Sequence, residues 1–116
     1  MHPILNQIGT TFIPVKNIEQ ARDWYCDLLG VPNDEEITAG HLYILPMQGT
    51  GIVLDSKIYS KEAIYKIPAF HFDTTDIKAA YEYMRQKDVD IVSKIEHDHW
   101  FTFKDPDGNL LMVCEC

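Results

Sequence analysis

The sequence has no apolar run near the roughly eighteen residues that a membrane-spanning helix requires. No membrane partner is expected. Basic residues are scarce: ten Lys and Arg stand against eighteen Asp and Glu, for a formal net charge of −8. That sign repels phosphates and disfavours nucleic acid as a partner. Cysteine is sparse and odd in number, with three residues, Cys26, Cys114 and Cys116. They offer no disulfide framework, and the tail spacing Cys114-x-Cys116 matches neither a metal-site nor a redox pattern. They read as free thiols in a reducing compartment, so a cytoplasmic location is expected. The opening residues, Met1-His2-Pro3-Ile4-Leu5-Asn6, lack a charged region followed by a long apolar one, and no secretory leader is expected.

What is present is enough for one domain: 116 residues, 46% of them hydrophobic, can bury a core without staples. The most informative stretch is residues 100–114. Asp105-Pro106-Asp107-Gly108 supplies a turn, with Pro106 presetting φ and Gly108 taking the left-handed dihedral. The flanks alternate. Phe101 and Phe103 point one way and Trp100 and Thr102 the other; beyond the turn Leu111 and Val113 oppose Leu110, Met112 and Cys114. This predicts a hairpin with one apolar face for a core and one mixed face turned elsewhere.

The rest of the chain follows in order. Residues 8–15 alternate as a strand, with Thr11, Ile13 and Val15 on one face and Thr10, Phe12 and Pro14 on the other. Asn17 then caps a helix over residues 18–29, whose buried stripe is Ile18, Ala21, Trp24, Tyr25 and Leu28. Gly30 ends it and Pro32 prevents resumption. Residues 33–36 read as a solvated acidic loop, and residues 41–45 and 51–55 as two strands. Residues 56–66 carry no strong pattern and read as a linker with a short helical turn at 61–65. Then the plan begins again: a strand over 69–74, a helix capped by Asp76 over about 77–87, a short strand over 90–93, and the hairpin. The apolar positions of the two halves agree at an offset of about 59 residues, Ile18 falling on Ile77, Ala21 on Ala80 and Val53 on Met112. The chain therefore reads as an α+β fold of two βαβββ modules, about residues 5–58 and 67–116, within a single domain over 1–116. Two such open sheets are expected to pair into a half-closed mixed β barrel with the helices outside, leaving a concave cleft.

This arrangement resembles the vicinal oxygen chelate superfamily, which includes glyoxalase I, bleomycin-resistance proteins and extradiol dioxygenases. The resemblance is carried by Phe12-x-x-Val15-x-Asn17-Ile18-x-x-Ala21-x-x-Trp24-Tyr25-x-x-x-Leu29-Gly30 and by Phe103-Lys104-Asp105-Pro106-Asp107-Gly108-Asn109-Leu110-Leu111. It implies four metal-ligand positions, which fall on Thr10, Val53, Ala69 and Met112. None of these is a good ligand for a hard or borderline divalent ion. The family's usual metal is therefore not expected, and no cofactor is.

Period-two reading puts Phe12, Asp55, His71, Asp73, Trp100, Thr102, Met112 and Cys114 on the cleft side. That is a ligand-pocket composition: rings and a thioether with one imidazole and two carboxylates. Trp100 and Phe12 suit a planar ligand, and His71 with Asp73 can orient or protonate it, which makes His71 the candidate catalytic residue. The blander readings are that Trp100 and Phe12 plug the core and that His71 is structural. Residues His97, Asp98 and His99 form a second polar cluster, but neighbours on a strand face opposite ways. The leading expectation is a metal-independent binder of a small, planar or apolar molecule, like the bleomycin-resistance branch. The alternatives are a lyase, isomerase or dioxygenase-type enzyme, using a relocated metal or acid–base chemistry through His71, and a scaffold acting through protein contacts. The resemblance and the open sheet edges further imply a homodimer.

Overall fold

The computed structural model describes residues 2–116. The chain divides into two compact units, residues 1–59 and 60–116. Each carries one helix on one open sheet, which is the α+β plan expected.

In the first unit the order is β1 (Thr10–Pro14), α1 (Ile18–Leu29), β2 (Leu42–Leu45) and β3 (Gly51–Asp55). The sheet runs β1-β3-β2, with β1 parallel and β2 antiparallel to β3. Asn17 caps α1 by accepting the Gln20 N–H at 3.0 Å, and Gly30 closes it in the left-handed region at φ 67°. α1 packs on β2 and β3, burying Ile18, Ala21, Tyr25, Cys26 and Leu28. Trp24 is only half-buried, so the stripe is rotated toward Cys26 relative to the sequence reading. The apolar sheet face is Ile13, Tyr43, Leu45, Ile52 and Leu54, all buried.

The second unit repeats the order with one more strand: β4 (His71–Asp73), α2 (Ile77–Gln86), β5 (Asp90–Ile91), β6 (Trp100–Lys104) and β7 (Leu110–Cys114). The sheet order is β4-β7-β6-β5, with β4 parallel to β7. α2 packs on β7. Phe101, Phe103, Leu111 and Val113 are buried on the apolar face, where Tyr81 meets Phe101 edge to face at 5.2 Å.

The duplication extends to individual hydrogen bonds. Asp76 caps α2 by accepting the Ala79 N–H at 3.0 Å, as Asn17 does for α1. The Val15 N–H donates to the Asp55 carbonyl and the Thr74 N–H to the Cys114 carbonyl. Ala39-Gly40 and His97-Asp98 both take positive φ, each pair turning a tight loop closed by the bridges Thr38↔Leu42 and Glu96↔Trp100. The His97-Asp98-His99 cluster is thus a turn whose left-handed backbone shapes the entry to β6.

Several elements differ from expectation, β2 beginning at Leu42 and β5 ending at Ile91 among them. β1 begins at Thr10 because residues 8 and 9 precede its pairing with β3. β4 begins at His71, leaving Ala69 exposed in a bend. The first unit has three strands where the second has four, since the chain between α1 and Thr38 forms none. Residues 61–65 form a single turn, as expected, in which the Ala63 and Ile64 N–H groups both donate to the Ser60 carbonyl.

The cysteines also divide differently. Cys26 is a free, buried thiol, whereas Cys114 and Cys116 are disulfide-bonded, their Cα atoms 5.4 Å apart. In extended backbone alternate residues share a side, which brings these two within bridging distance. Burial pushes the Cys26 thiol above its ordinary pKa, outweighing the opposing contact with the Tyr43 hydroxyl. Cys26 should therefore stay protonated and inert to a disulfide reagent at neutral pH, reacting only after unfolding. Prompt labelling of Cys26 in the native chain would contradict this.

Candidate functional site

One face of each sheet is covered by its helix; the residues of the other face are the candidates. Cross-strand register sorts them into rows. In the second unit His71, Met112 and Thr102 lie side by side on β4, β7 and β6, and Asp73, Cys114 and Trp100 form the next row. In the first unit the corresponding row is Phe12, Val53 and Ile44, and the next is Pro14, Asp55 and Leu42. Phe12 and Ile44 are exposed, at 51% and 58%, so this row presents a continuous apolar surface. Ile44 was legible in the alternation of residues 42–45 and belongs beside Phe12.

The polar members are held individually. Asp55 is buried, and its Oδ1 receives His41 Nδ1 at 2.8 Å and the Lys57 N–H at 2.9 Å. His41 could not be placed from sequence, because its partner sits at the far end of the next strand, across a turn. His71 Nδ1 lies 3.2 Å from Asp73 Oδ1, an i,i+2 pair on one side of β4; the Asp73 side chain is 89% exposed. The Trp100 indole is half-buried with the His97 ring 5.0 Å away. The Thr102 N–H donates to Ser93 Oγ at 2.9 Å. Cys114 is buried and occupied in its disulfide.

The conspicuous Asp105-to-Asn109 motif has a structural job. Asp105 and Asn109 are both buried. Asp105 Oδ1 accepts the Asp107 and Asn109 N–H groups at 3.0 and 2.9 Å, and its Oδ2 accepts Asn109 Nδ2 at 2.8 Å. Asn109 Oδ1 in turn accepts the Tyr65 N–H at 3.0 Å, and the Leu110 N–H donates to the Tyr65 carbonyl. The turn therefore anchors the segment before β4. Gly108 is required at φ 91°, where a Cβ would also stand 3.2 Å from Ile64 Cδ1.

The four metal positions implied by the resemblance are an exposed hydroxyl at Thr10, aliphatic side chains at Val53 and Ala69, and a thioether at Met112. Without imidazole or carboxylate, this donor set does not fit the divalent ion of the family's metal-dependent members.

With a βαββ-type unit repeated, each unit an open sheet backed by one helix, the architecture defines a glyoxalase-type α+β protein. Residues 6–113 match the model of the Glyoxalase/Bleomycin resistance protein/Dioxygenase superfamily, and the chain belongs to that superfamily. It is 26% identical to the uncharacterized protein YetH of Bacillus subtilis (strain 168), covering 97% of this chain and 100% of that one. Among solved structures it resembles TnmS3, an antibiotic binding protein from Streptomyces sp. CB03234. That likeness has a TM-score of 0.76 at 19% identity and covers 98% of each chain. It also resembles lactoylglutathione lyase from Agrobacterium tumefaciens, with a TM-score of 0.73 at 16% identity, over 98% of this chain and 96% of that one. At these identities the likenesses establish the fold. No helix among the described residues is long and apolar enough to cross a membrane.

Proposed function

We propose that this protein binds a small planar or apolar molecule on the helix-free face of its second sheet, without the superfamily's usual metal. The observation that carries this is the pair of rows on β4, β7 and β6. They set the Trp100 indole and Met112 thioether beside the Thr102 hydroxyl and the His71–Asp73 pair. An aromatic platform supplies contact area, while a few polar groups fix orientation. The fold shared with an antibiotic binding protein is compatible with sequestration as the role. The apolar row Phe12, Val53 and Ile44 offers a second surface of the same kind. Titrating planar aromatic compounds while following indole fluorescence tests the reading. Quenching that saturates supports it; no response across a broad panel overturns it.

A second reading rests on one contact. Asp73 beside His71 is how an imidazole base is commonly oriented, so acid–base catalysis through His71 is the alternative. Turnover of a bound compound that disappears in His71→Gln would favour it over simple sequestration.

The protein should also pair with a second copy. Each sheet ends in flanking strands, β1 and β2 in one unit and β4 and β5 in the other, and unpaired strand edges favour association. Sedimentation at tens of micromolar, roughly well above a typical dimer constant, is expected to show twice the 13.4 kDa chain mass. A monomer at that concentration would reject it.

A further inference from the structure

The Cys114–Cys116 bridge does not stand alone. One ring nitrogen of His71 and the two sulphurs lie within 4.8 Å of one another. They converge because β4 pairs in parallel with β7, placing His71 opposite Met112 and Asp73 opposite Cys114. We propose that this cluster is a redox-gated metal site. With the disulfide closed it holds no metal; once opened, the two thiolates and the His71 imidazole bind one Zn2+ or a similar thiophilic ion.

The donor set suits such an ion. Two cysteine sulphurs and one imidazole leave a fourth tetrahedral position open to water or a ligand. Tetrahedral arms of about 2.3 Å put neighbouring donors about 3.7 Å apart, inside the 4.8 Å that already encloses the three atoms, once the two sulphurs part. Asp73 against His71 Nδ1 supplies the carboxylate that commonly orients a metal-bound imidazole through its other nitrogen. The site is distinct from the superfamily's metal positions: His71 and Cys114 each lie two residues beyond Ala69 and Met112.

Opening the bridge should leave the fold intact. It spans the single residue Glu115, so it closes a very short loop and constrains the unfolded chain little. The backbone around it is fixed independently. The Cys114 carbonyl accepts the Thr74 N–H, and the Glu115 N–H donates to the His99 carbonyl at 2.7 Å. Glu115 Oε1 accepts the Ile77 N–H at the start of α2. The chemistry balances with a phosphine as reductant: phosphine, disulfide and water give phosphine oxide and two thiols. Metal binding then releases the two thiol protons.

The test uses the full chain and Co2+ as a spectroscopic probe. After phosphine reduction, one Co2+ per chain should bind with the intense visible bands of tetrahedral cobalt and a near-ultraviolet thiolate charge-transfer band. The oxidised chain should show neither. Cys116→Ser, an exposed position that spares the buried Cys114, should abolish the charge-transfer bands of a two-thiolate site. His71→Ala should weaken binding at least about a hundredfold and Asp73→Asn about tenfold. Cobalt spectra without thiolate bands in the reduced chain, or Cys116→Ser and His71→Ala indistinguishable from wild type, would overturn the proposal. So would equal binding by the oxidised and reduced forms. These readouts do not depend on any organic ligand, so their failure is separable from failure of the binding role above.

Discussion

Replacing Asp105 by Ala is expected to lower the unfolding free energy by about 3 kcal/mol, although the residue is not itself a candidate ligand contact. Its carboxylate receives three donors, the Asp107 and Asn109 N–H groups and Asn109 Nδ2, in a buried turn. Truncation leaves all three without this acceptor, and an unsatisfied buried donor costs about 1–3 kcal/mol. The loss would spread, because Asn109 also holds the Tyr65 N–H and thus the segment leading into β4. For a chain of this size such a change lowers the thermal midpoint by on the order of 10 °C. Asp105→Asn keeps the shape and one acceptor oxygen but turns an NH2 toward a donor, so about half the loss is expected. Thermal and urea unfolding followed by circular dichroism measure both. If Asp105→Ala unfolds within about 2 °C of wild type, the network is solvated and its stabilising role is wrong.

Trp100→Ala is expected to weaken ligand binding by about 1–3 kcal/mol, roughly a 5- to 150-fold rise in Kd. The indole is half-buried, opposite Cys114 in register and one row from Met112 and Thr102. Its loss should therefore cost less stability than loss of the fully buried Phe101 or Phe103 in the same strand. Trp24→Phe provides the contrast. Trp24 sits on α1, in the other unit, edge to face with Tyr25 at 4.9 Å, and its replacement should leave affinity unchanged. Wild type and both variants titrated with the same planar compounds give the comparison. If Trp100→Ala costs several kcal/mol of unfolding free energy while affinity is unaltered, Trp100 is a core residue and the binding face lies elsewhere.

Much of the architecture was legible in local pattern. Asn17 and Asp76 announced two helix starts, and alternation in 100–104 and 110–114 separated Phe101, Phe103, Leu111 and Val113 from Trp100, Thr102 and Met112. The offset between the halves followed because equivalent apolar positions must fill equivalent packing sites. Strand ends were less legible. β4 stops short of Ala69 although β7 runs on to Leu110, whose N–H goes to the Tyr65 carbonyl and not to β4, a contact that no local pattern shows.

The candidate site divides along the same line. Which residues share a face is a property of one strand, since side chains alternate with a period of two, and the sequence alone determined it for Phe12, His71, Asp73, Trp100, Thr102 and Met112. Which residues touch is a property of register between strands distant in the chain. Only the tertiary structure decided that His41 meets Asp55, that Asn109 holds Tyr65, and that His71 stands beside Cys114 and Cys116. The Cys-x-Cys spacing carried no metal signal by itself, because its third donor arrives from a parallel strand that begins some forty residues earlier. Local periodicity has no memory of that distance; hydrogen-bonded strand pairing does, and it brings the three donors together.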